Sequence, residues 1–266
     1  ALKSIVLPAN LTSISDSLLR GCSQLTSVTI KNAVTEIGEM AFASCTSLES
    51  ILIPNSTTVI YSRAFSGCEK LKKVYLPQSV TSFGSYIFAD GEYGYGMSKK
   101  EILYVEKNSM AEQYAKNNGF SYKYMSSNYT GLFNIGQNQW YYQVNGEIQW
   151  NYTGLIQQSG KWYYVKKGVV DWNYTGAVKY FNTMYYVKNG ILDWTYTGLV
   201  KSSNSWYYMK NGVQNRTYIG LAKYSGTWYY VKSGTIDWSY TGLTKYYGSW
   251  YYVKSGVVDW NYTGLN

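Results

Sequence analysis

The stretch Trp162-Tyr-Tyr-Val-Lys-Lys-Gly-Val-Val-Asp-Trp-Asn-Tyr-Thr-Gly-Ala177 decides the fold of the second half of the chain. At its centre is Lys167-Gly168, and the same place is held further on by Asn189-Gly190, Asn211-Gly212, Ser233-Gly234 and Ser255-Gly256. Asn-Gly is a strong signal for a two-residue turn, because both turn positions need positive φ. Each unit therefore reads as a β-hairpin. With a two-residue turn, Val165 faces Val170 and Tyr163 faces Trp172 on one side, while Trp162, Tyr164 and Asp171 lie on the other. A three-residue turn exchanges these faces.

The unit recurs every 22 residues without insertion. One aromatic column runs Trp140, Trp162, Met184, Trp206, Trp228, Trp250, and a second runs Trp150, Trp172, Trp194, Arg216, Trp238, Trp260. Tyr152, Tyr174, Tyr196, Tyr218, Tyr240 and Tyr262 form a third, and a glycine from Gly154 to Gly264 closes each unit. A single hairpin is too thin to stand alone. Stacked hairpins bury aromatic side chains on one another, each removing roughly 150–250 Å² from water.

Outward from this array the period changes. Leu2, Leu25, Leu48 and Leu71 step by 23 residues, as do Ile5, Val28, Ile51 and Val74, and Ile14, Ile37, Ile60 and Phe83. The run Leu-x-x-Val-x-Ile, as in Leu25 to Ile30, alternates apolar positions and predicts a short strand with one buried side. No such repeat buries its apolar face alone, so stacking on its neighbours is what stabilises it. Ala-Phe-x-x-Cys (Ala41, Phe42, Cys45; Ala64, Phe65, Cys68) reads as a short helical turn between strands. Cys22, Cys45 and Cys68 form a column that suits either a thiol set or buried packing. The chain has no His to complete a zinc site. The outward positions of the strands, among them Thr29, Leu52, Lys73 and Tyr75, are the candidate partner-binding face.

Composition divides the chain at the same place. All ten Trp lie between Trp140 and Trp260. Residues 1–125 carry 12 Lys/Arg and 10 Asp/Glu, a net of +2, and residues 126–266 carry 12 against 5, a net of +7. The two domains expected are thus 1–125 and 126–266, with the junction near Ser126-Ser127. A basic, aromatic half suits an anionic polymer. Nucleic acid is not expected, since the lysines are spread along the repeats and no nucleic-acid-binding motif is present. No apolar stretch is long enough to span a bilayer. The chain opens inside a repeat, so an export signal is expected upstream of Ala1.

The 23-residue repeats resemble the BspA-type leucine-rich repeats of bacterial surface proteins and adhesins. Ile102 to Val105, followed by Ser109 to Gly119, looks like that family's terminal cap: a last strand, then a helix closed by glycine. The loop Asp90 to Met97 departs from the pattern. The 22-residue units, with Gly160, Trp162, Tyr163, Tyr164, Gly168, Thr175 and Gly176, resemble the cell-wall-binding repeats of choline-binding and glucan-binding proteins. In that family, aromatics of neighbouring hairpins enclose a quaternary ammonium or stack on sugars, and cation–π attraction is worth about 0.5–2 kcal/mol per contact. The family usually has Trp after the closing glycine, whereas Leu155, Ala177, Leu199, Leu221, Leu243 and Leu265 stand there.

The fold expected is mainly β: two tandem solenoids, a short leucine-rich-repeat domain with a helical cap and then a β-hairpin repeat solenoid. The candidate ligand-binding residues are Trp140, Trp150, Trp162, Tyr164, Trp172, Trp194, Trp206, Trp228, Trp238, Trp250 and Trp260. Met184 and Arg216 break the columns and mark interfaces expected to bind weakly if the columns line sites. The resemblance implies a non-catalytic protein of a bacterial, Gram-positive surface. On that reading the hairpins hold a cell-wall polymer (teichoic acid, choline-decorated or glucan-like) and the leucine-rich repeats meet a protein partner. The alternatives are a module for an external glycan and a stalk whose aromatics are all core. No cofactor or metal is expected. Catalysis is not expected either: His is absent, and Asp171, Asp193, Asp237 and Asp259 are copies of one position, whereas a carboxylate pair needs two different environments. Lys166, Lys188, Lys210, Lys232 and Lys254 precede the turns, where they suit either phosphate contact or a charged, aggregation-resistant edge.

Overall fold

The computed structural model describes residues 2–94, 96, 98–126 and 128–264. Leu265, Ser127 of the junction, and Tyr95 and Met97 of the irregular loop lie outside the described residues. The chain packs as two compact units, Ala1–Asn151 and Tyr152–Asn266.

In the first unit the 23-residue period becomes two rows of parallel strands. One row comprises Ser4–Val6 paired with Ser27–Thr29, and Ser50–Leu52, Lys73–Leu76, Ile102–Val105 and Ser121–Tyr124 paired in succession. The other contains Ser13–Ile14, Glu36–Ile37, Val59–Ile60 and Ser82–Phe83. Register follows the repeat, so Ile51 meets Val74 and Ile37 meets Ile60. Like residues therefore stack on like. Phe42, Phe65 and Phe88 form a column with ring centroids 5.2 and 5.8 Å apart, and Leu25, Leu48 and Leu71 are fully buried.

The Ala-Phe-x-x-Cys segments are successive tight turns and not helices. Ala43 N–H donates to Met40 C=O (3.0 Å) and Cys45 N–H to Phe42 C=O (3.2 Å), while left-handed Met40 and Ser44 stop helical propagation. The regular helix, Met110–Asn118, has Ser109 accepting from Glu112 N–H at its start and left-handed Gly119 at its end. Glu112 accepts hydrogen bonds from Asn108 N–H (2.6 Å) and Tyr124 O–H (2.8 Å) and pairs with Lys116 (2.6 Å). The loop after Asp90 is tied back by Arg20 bonding Glu92 and Tyr93.

The cysteines are a packing column. Cys45 Sγ donates to Leu19 C=O (3.2 Å) and Cys68 Sγ to Phe42 C=O (3.1 Å). Burial pushes the Cys45 thiol up to about 12, far from the thiolate a metal or redox site requires. No metal-binding cluster exists among the described residues.

The first hairpin belongs to this same unit. Gly131–Gly136 pairs antiparallel with Gln139–Val144, and Glu147–Ile148 extends the ladder. It lies on the outward face of the leucine-rich strands. Phe133 meets Tyr75 edge-on at 5.1 Å, and Gln139 Nε2 donates to Val28 C=O at 3.2 Å. Tyr75 in turn stacks on Tyr104 at 4.4 Å.

In the second unit each repeat has three strands, for example Gly176–Tyr180, Thr183–Lys188 and Ile191–Leu192. The short turn is the two-residue one: Val165 pairs with Val170, and Asn189 and Gly190 have φ of 50° and 74°, as a type I′ turn requires. The longer hairpin of the repeat is a different one, built from the strand that follows the closing glycine. Gly176 pairs with Val187 and Tyr180 with Thr183. Successive repeats are stitched through the turn glycine: Tyr164 N–H donates to Gly190 C=O (2.8 Å) and Gly190 N–H to Tyr174 C=O (3.0 Å). A Cβ on Gly190 would sit 2.8 Å from Asp171 O, so the next repeat's turn passes directly over the Asp-Trp backbone of the preceding one.

Candidate aromatic binding sites between repeats

The three aromatic columns separate into different environments. The third is structural. Tyr186 stacks on Tyr196 at 3.7 Å, Tyr208 on Tyr218 at 3.7 Å and Tyr230 on Tyr240 at 3.8 Å. Each of these column hydroxyls donates to the carbonyl of the residue after the closing glycine, Tyr174 to Ala177 (2.9 Å) and Tyr196 to Leu199 (2.6 Å). Burial pushes the Tyr196 hydroxyl up to about 12. Tyr164 belongs here too: it packs at 4.2 Å against Tyr174 and is 8% exposed, so it is core and not part of a ligand-accessible face.

The residue in place of the family's Trp is also core. Leu155, Ala177, Leu199 and Leu221 are buried beneath these tyrosines, and among the described residues of this row Leu243, in the last repeat, is exposed.

The first and second columns come together between repeats. Trp162 meets Tyr180 of the next repeat at 5.1 Å, Tyr180 lies 6.4 Å from Tyr185, and Tyr185 lies 6.3 Å from Trp194. Trp206 meets Tyr224 at 4.6 Å and Tyr229 at 6.0 Å, and Tyr229 lies 5.8 Å from Trp238. Trp228 meets Tyr246 at 5.1 Å and packs in one cluster with Tyr251, which lies 5.9 Å from Trp260. Three interfaces thus carry the same aromatic quartet. Trp162, Trp206 and Trp228 are half-buried, whereas Trp194, Trp238 and Trp260 are 48, 50 and 66% exposed. The quartet therefore presents aromatic faces to solvent.

Met184 and Arg216 fall at one and the same interface. The corresponding four residues there are Met184, Ser202, Tyr207 and Arg216. Met184 is 8% exposed and packs with Tyr207, Ser202 Oγ donates to Ala177 C=O (3.4 Å), and Arg216 donates to Asn182 C=O. This interface has a single aromatic ring where the others have four.

The remaining predicted residues sit as follows. Trp172 lies 6.0 Å from Tyr163 and Trp150 lies 5.9 Å from Tyr141, both half-buried, as is Trp140. Trp250 is exposed in the last repeat. Thr29 and Tyr75, expected to face a partner, are buried at 7 and 3%, because the first hairpin lies on that face; Leu52 and Lys73 are half-buried.

A second lysine column, not singled out in the sequence, accompanies the tryptophans. Lys201, Lys223 and Lys245 are cross-strand neighbours of Trp206, Trp228 and Trp250, and each ammonium lies 5.9 Å from its indole centroid. Its 22-residue spacing was visible, but its proximity to Trp needs the strand after the closing glycine. The aspartates are turn residues. Asp193 Oδ1 accepts from Thr195 O–H (2.6 Å) and N–H (2.9 Å), which lowers its pKa, and Asp237 does the same with Ser239. Among the described residues no helix is long and apolar enough to cross a membrane.

Comparison with known proteins matches parts of both sets of repeats. Residues 1–109 match the model of the BspA type leucine rich repeat region in six copies. Residues 151–171, 173–193, 195–215, 217–237 and 239–259 match the choline-binding repeat. No curated protein matches the chain. Among solved structures, a leucine-rich repeat protein of Bacteroides ovatus is 29% identical over 47% of this chain and 30% of its own, with TM-score 0.38. A leucine rich cell surface protein of Faecalibacterium prausnitzii is 29% identical over 43% of this chain and 28% of its own, with TM-score 0.35. A T. pallidum leucine rich repeat protein is 18% identical over 46% and 85%, with TM-score 0.32. The chain thus spans about 30% of the length of the first two. The chain thus has two sets of repeats, the first similar to the BspA type leucine rich repeat region and the second to the choline-binding repeat.

Proposed function

We propose that the hairpin repeats hold a choline-bearing cell-wall polymer non-covalently at the aromatic interfaces between successive repeats, and that the chain serves as a non-catalytic attachment protein at a bacterial surface. The observation that carries this is the recurring quartet, with Trp206, Tyr224, Tyr229 and Trp238 as its type. Ring faces at this spacing attract a quaternary ammonium through their quadrupoles, by about 0.5–2 kcal/mol per contact. Lys201 beside Trp206 and Lys223 beside Trp228 supply a positive charge next to two of the three sites, whereas Gln157 stands opposite Trp162. That charge disfavours a bare cation but suits the phosphate of a phosphocholine group. Several weak sites on one polymer add through effective concentration.

The half-exposed Trp194, Trp238 and Trp260 also suit stacking on a sugar ring, which is the ground for the second reading, a module for an external glycan. A protein partner on the leucine-rich region is proposed only for the end of the sheet away from the hairpin, where Val6 is 62% exposed. The four repeated aspartates are each engaged in a turn, which supports a non-catalytic role.

Sedimentation of the full chain with choline-bearing cell walls tests the proposal. Release by free choline and not by glucose is expected. Release by glucan oligosaccharides alone would favour the external-glycan reading, and absence of sedimentation would refute wall attachment.

A further inference from the structure

The first unit holds a cavity of about 320 Å³ between the ends of the leucine-rich strands and the first hairpin. It lies at the small end of the range for ligand pockets, roughly 300–1,000 Å³. That volume admits one or two sugar rings. Its walls have three kinds of group. Tyr75, Tyr129 and Phe133 line it with ring surface, and Tyr75 and Phe133 are fixed edge-to-face at 5.1 Å. Asn32, Asn55 and Gln143 bring uncharged amides. Gln143 is 7% exposed, and its side-chain amide makes no protein hydrogen bond among the described residues. Lining the cavity, that amide is open to a ligand's hydroxyls. Glu106 and Glu147 bring carboxylates, Glu106 already accepting from Gln78 N–H at 3.2 Å.

Among the described residues no Lys or Arg lines the cavity, in a chain whose net charge is +9. Phosphates, nucleotides and uronates are therefore poor occupants: they would meet two carboxylates and no cation. A pyranose fits each wall. Its C–H face suits the aromatic rings, its hydroxyls donate to the carboxylates, and the amide of Gln143 both donates and accepts.

We propose that this cavity is a sugar-binding site for a neutral or amino-bearing pyranose, separate from the aromatic interfaces of the second unit. The leucine-rich region and the first hairpin then share one binding function, because neither forms the cavity alone.

The test is saturation-transfer NMR and calorimetry on the full chain with glucosamine, N-acetylglucosamine and glucuronic acid, all in saturating choline so that the aromatic interfaces are filled. Saturable binding of at least one of the first two sugars and none of glucuronic acid is expected. Gln143→Ala should weaken it at least tenfold, and Glu147→Gln should weaken glucosamine more than N-acetylglucosamine, with the thermal unfolding midpoint of each variant within a few degrees of the parent. Three results would overturn the proposal: no binding of either sugar, binding that choline abolishes, or binding that both folded variants leave intact. The first and the third are independent of whether choline itself binds.

Discussion

Arg216 donates a hydrogen bond to the backbone carbonyl of Asn182, two residues before Met184, at the one repeat interface of the second unit that lacks the aromatic quartet. The two departures from the aromatic columns lie 32 residues apart in the chain. They are nevertheless one structural event, since the first column of one repeat meets the second column of the next. Ser202, where three other repeats place Tyr180, Tyr224 and Tyr246, completes it. The ladder is therefore a row of equivalent aromatic interfaces with a gap.

That gap can be filled. Met184→Trp, Ser202→Tyr and Arg216→Trp together rebuild the quartet around Tyr207, and choline calorimetry should then count one more site than the parent. An unchanged count would mean that the quartets are packing and not sites.

The turn glycines separate backbone strain from steric collision. Gly160 and Gly212 both have positive φ, 76° and 73°, but a Cβ on Gly160 meets nothing within 4 Å, whereas on Gly212 it lies 2.4 Å from Asp193 O. In urea unfolding, Gly160→Ala should cost about 1–2 kcal/mol, the left-handed penalty alone. Gly212→Ala should cost clearly more. Equal losses would contradict the stitching of each turn onto the preceding repeat.

The third column is expected to hold the fold and not the ligand. Tyr174→Phe removes the hydroxyl that donates to Ala177 C=O at 2.9 Å. It should lower stability by about 0.5–1.5 kcal/mol and leave choline affinity unchanged. A loss of affinity at constant stability would move Tyr174 into a site.

In the helical cap, Lys116, Asn108 N–H and Tyr124 O–H hold the Glu112 carboxyl down to about 2. A depressed folded-state pKa gives stability that is complete above the unfolded glutamate value, about 4.3. It is lost as pH falls from there toward 2. Glu112→Gln should therefore lose more stability at pH 6 than at pH 3, read as the difference in thermal midpoint. A loss independent of pH would show that the charge is not what Glu112 contributes.

Much of this was legible in the residues. The 23- and 22-residue periods specify two stacked arrays, since identical residues at a fixed step bury themselves only against their copies. Asn189-Gly190 specified the two-residue turn and with it the pairing of Val187 with Leu192. The strand after the closing glycine was less visible. Gly176 to Tyr180 carries only a weak alternation, and its turn, Phe181-Asn182, has no glycine, although Ser225-Gly226 and Tyr247-Gly248 mark the same place elsewhere. Without that strand, Tyr180, Tyr224 and Tyr246 could not be assigned to the quartets, nor Lys201 placed beside Trp206. The burial of Thr29 and Tyr75 was not legible at all. It depends on a hairpin over a hundred residues from Thr29 lying on the leucine-rich strands, a tertiary contact without a local signature.

The interfaces containing Trp162, Trp206 and Trp228 are the proposed binding sites. Choline calorimetry of the full chain beside Trp206→Ala tests this most directly. Saturable binding is expected in the parent and one site fewer in the variant, with the unfolding transition of the other repeats intact. Saturable binding with an unchanged site count, or no binding by the parent, would contradict it.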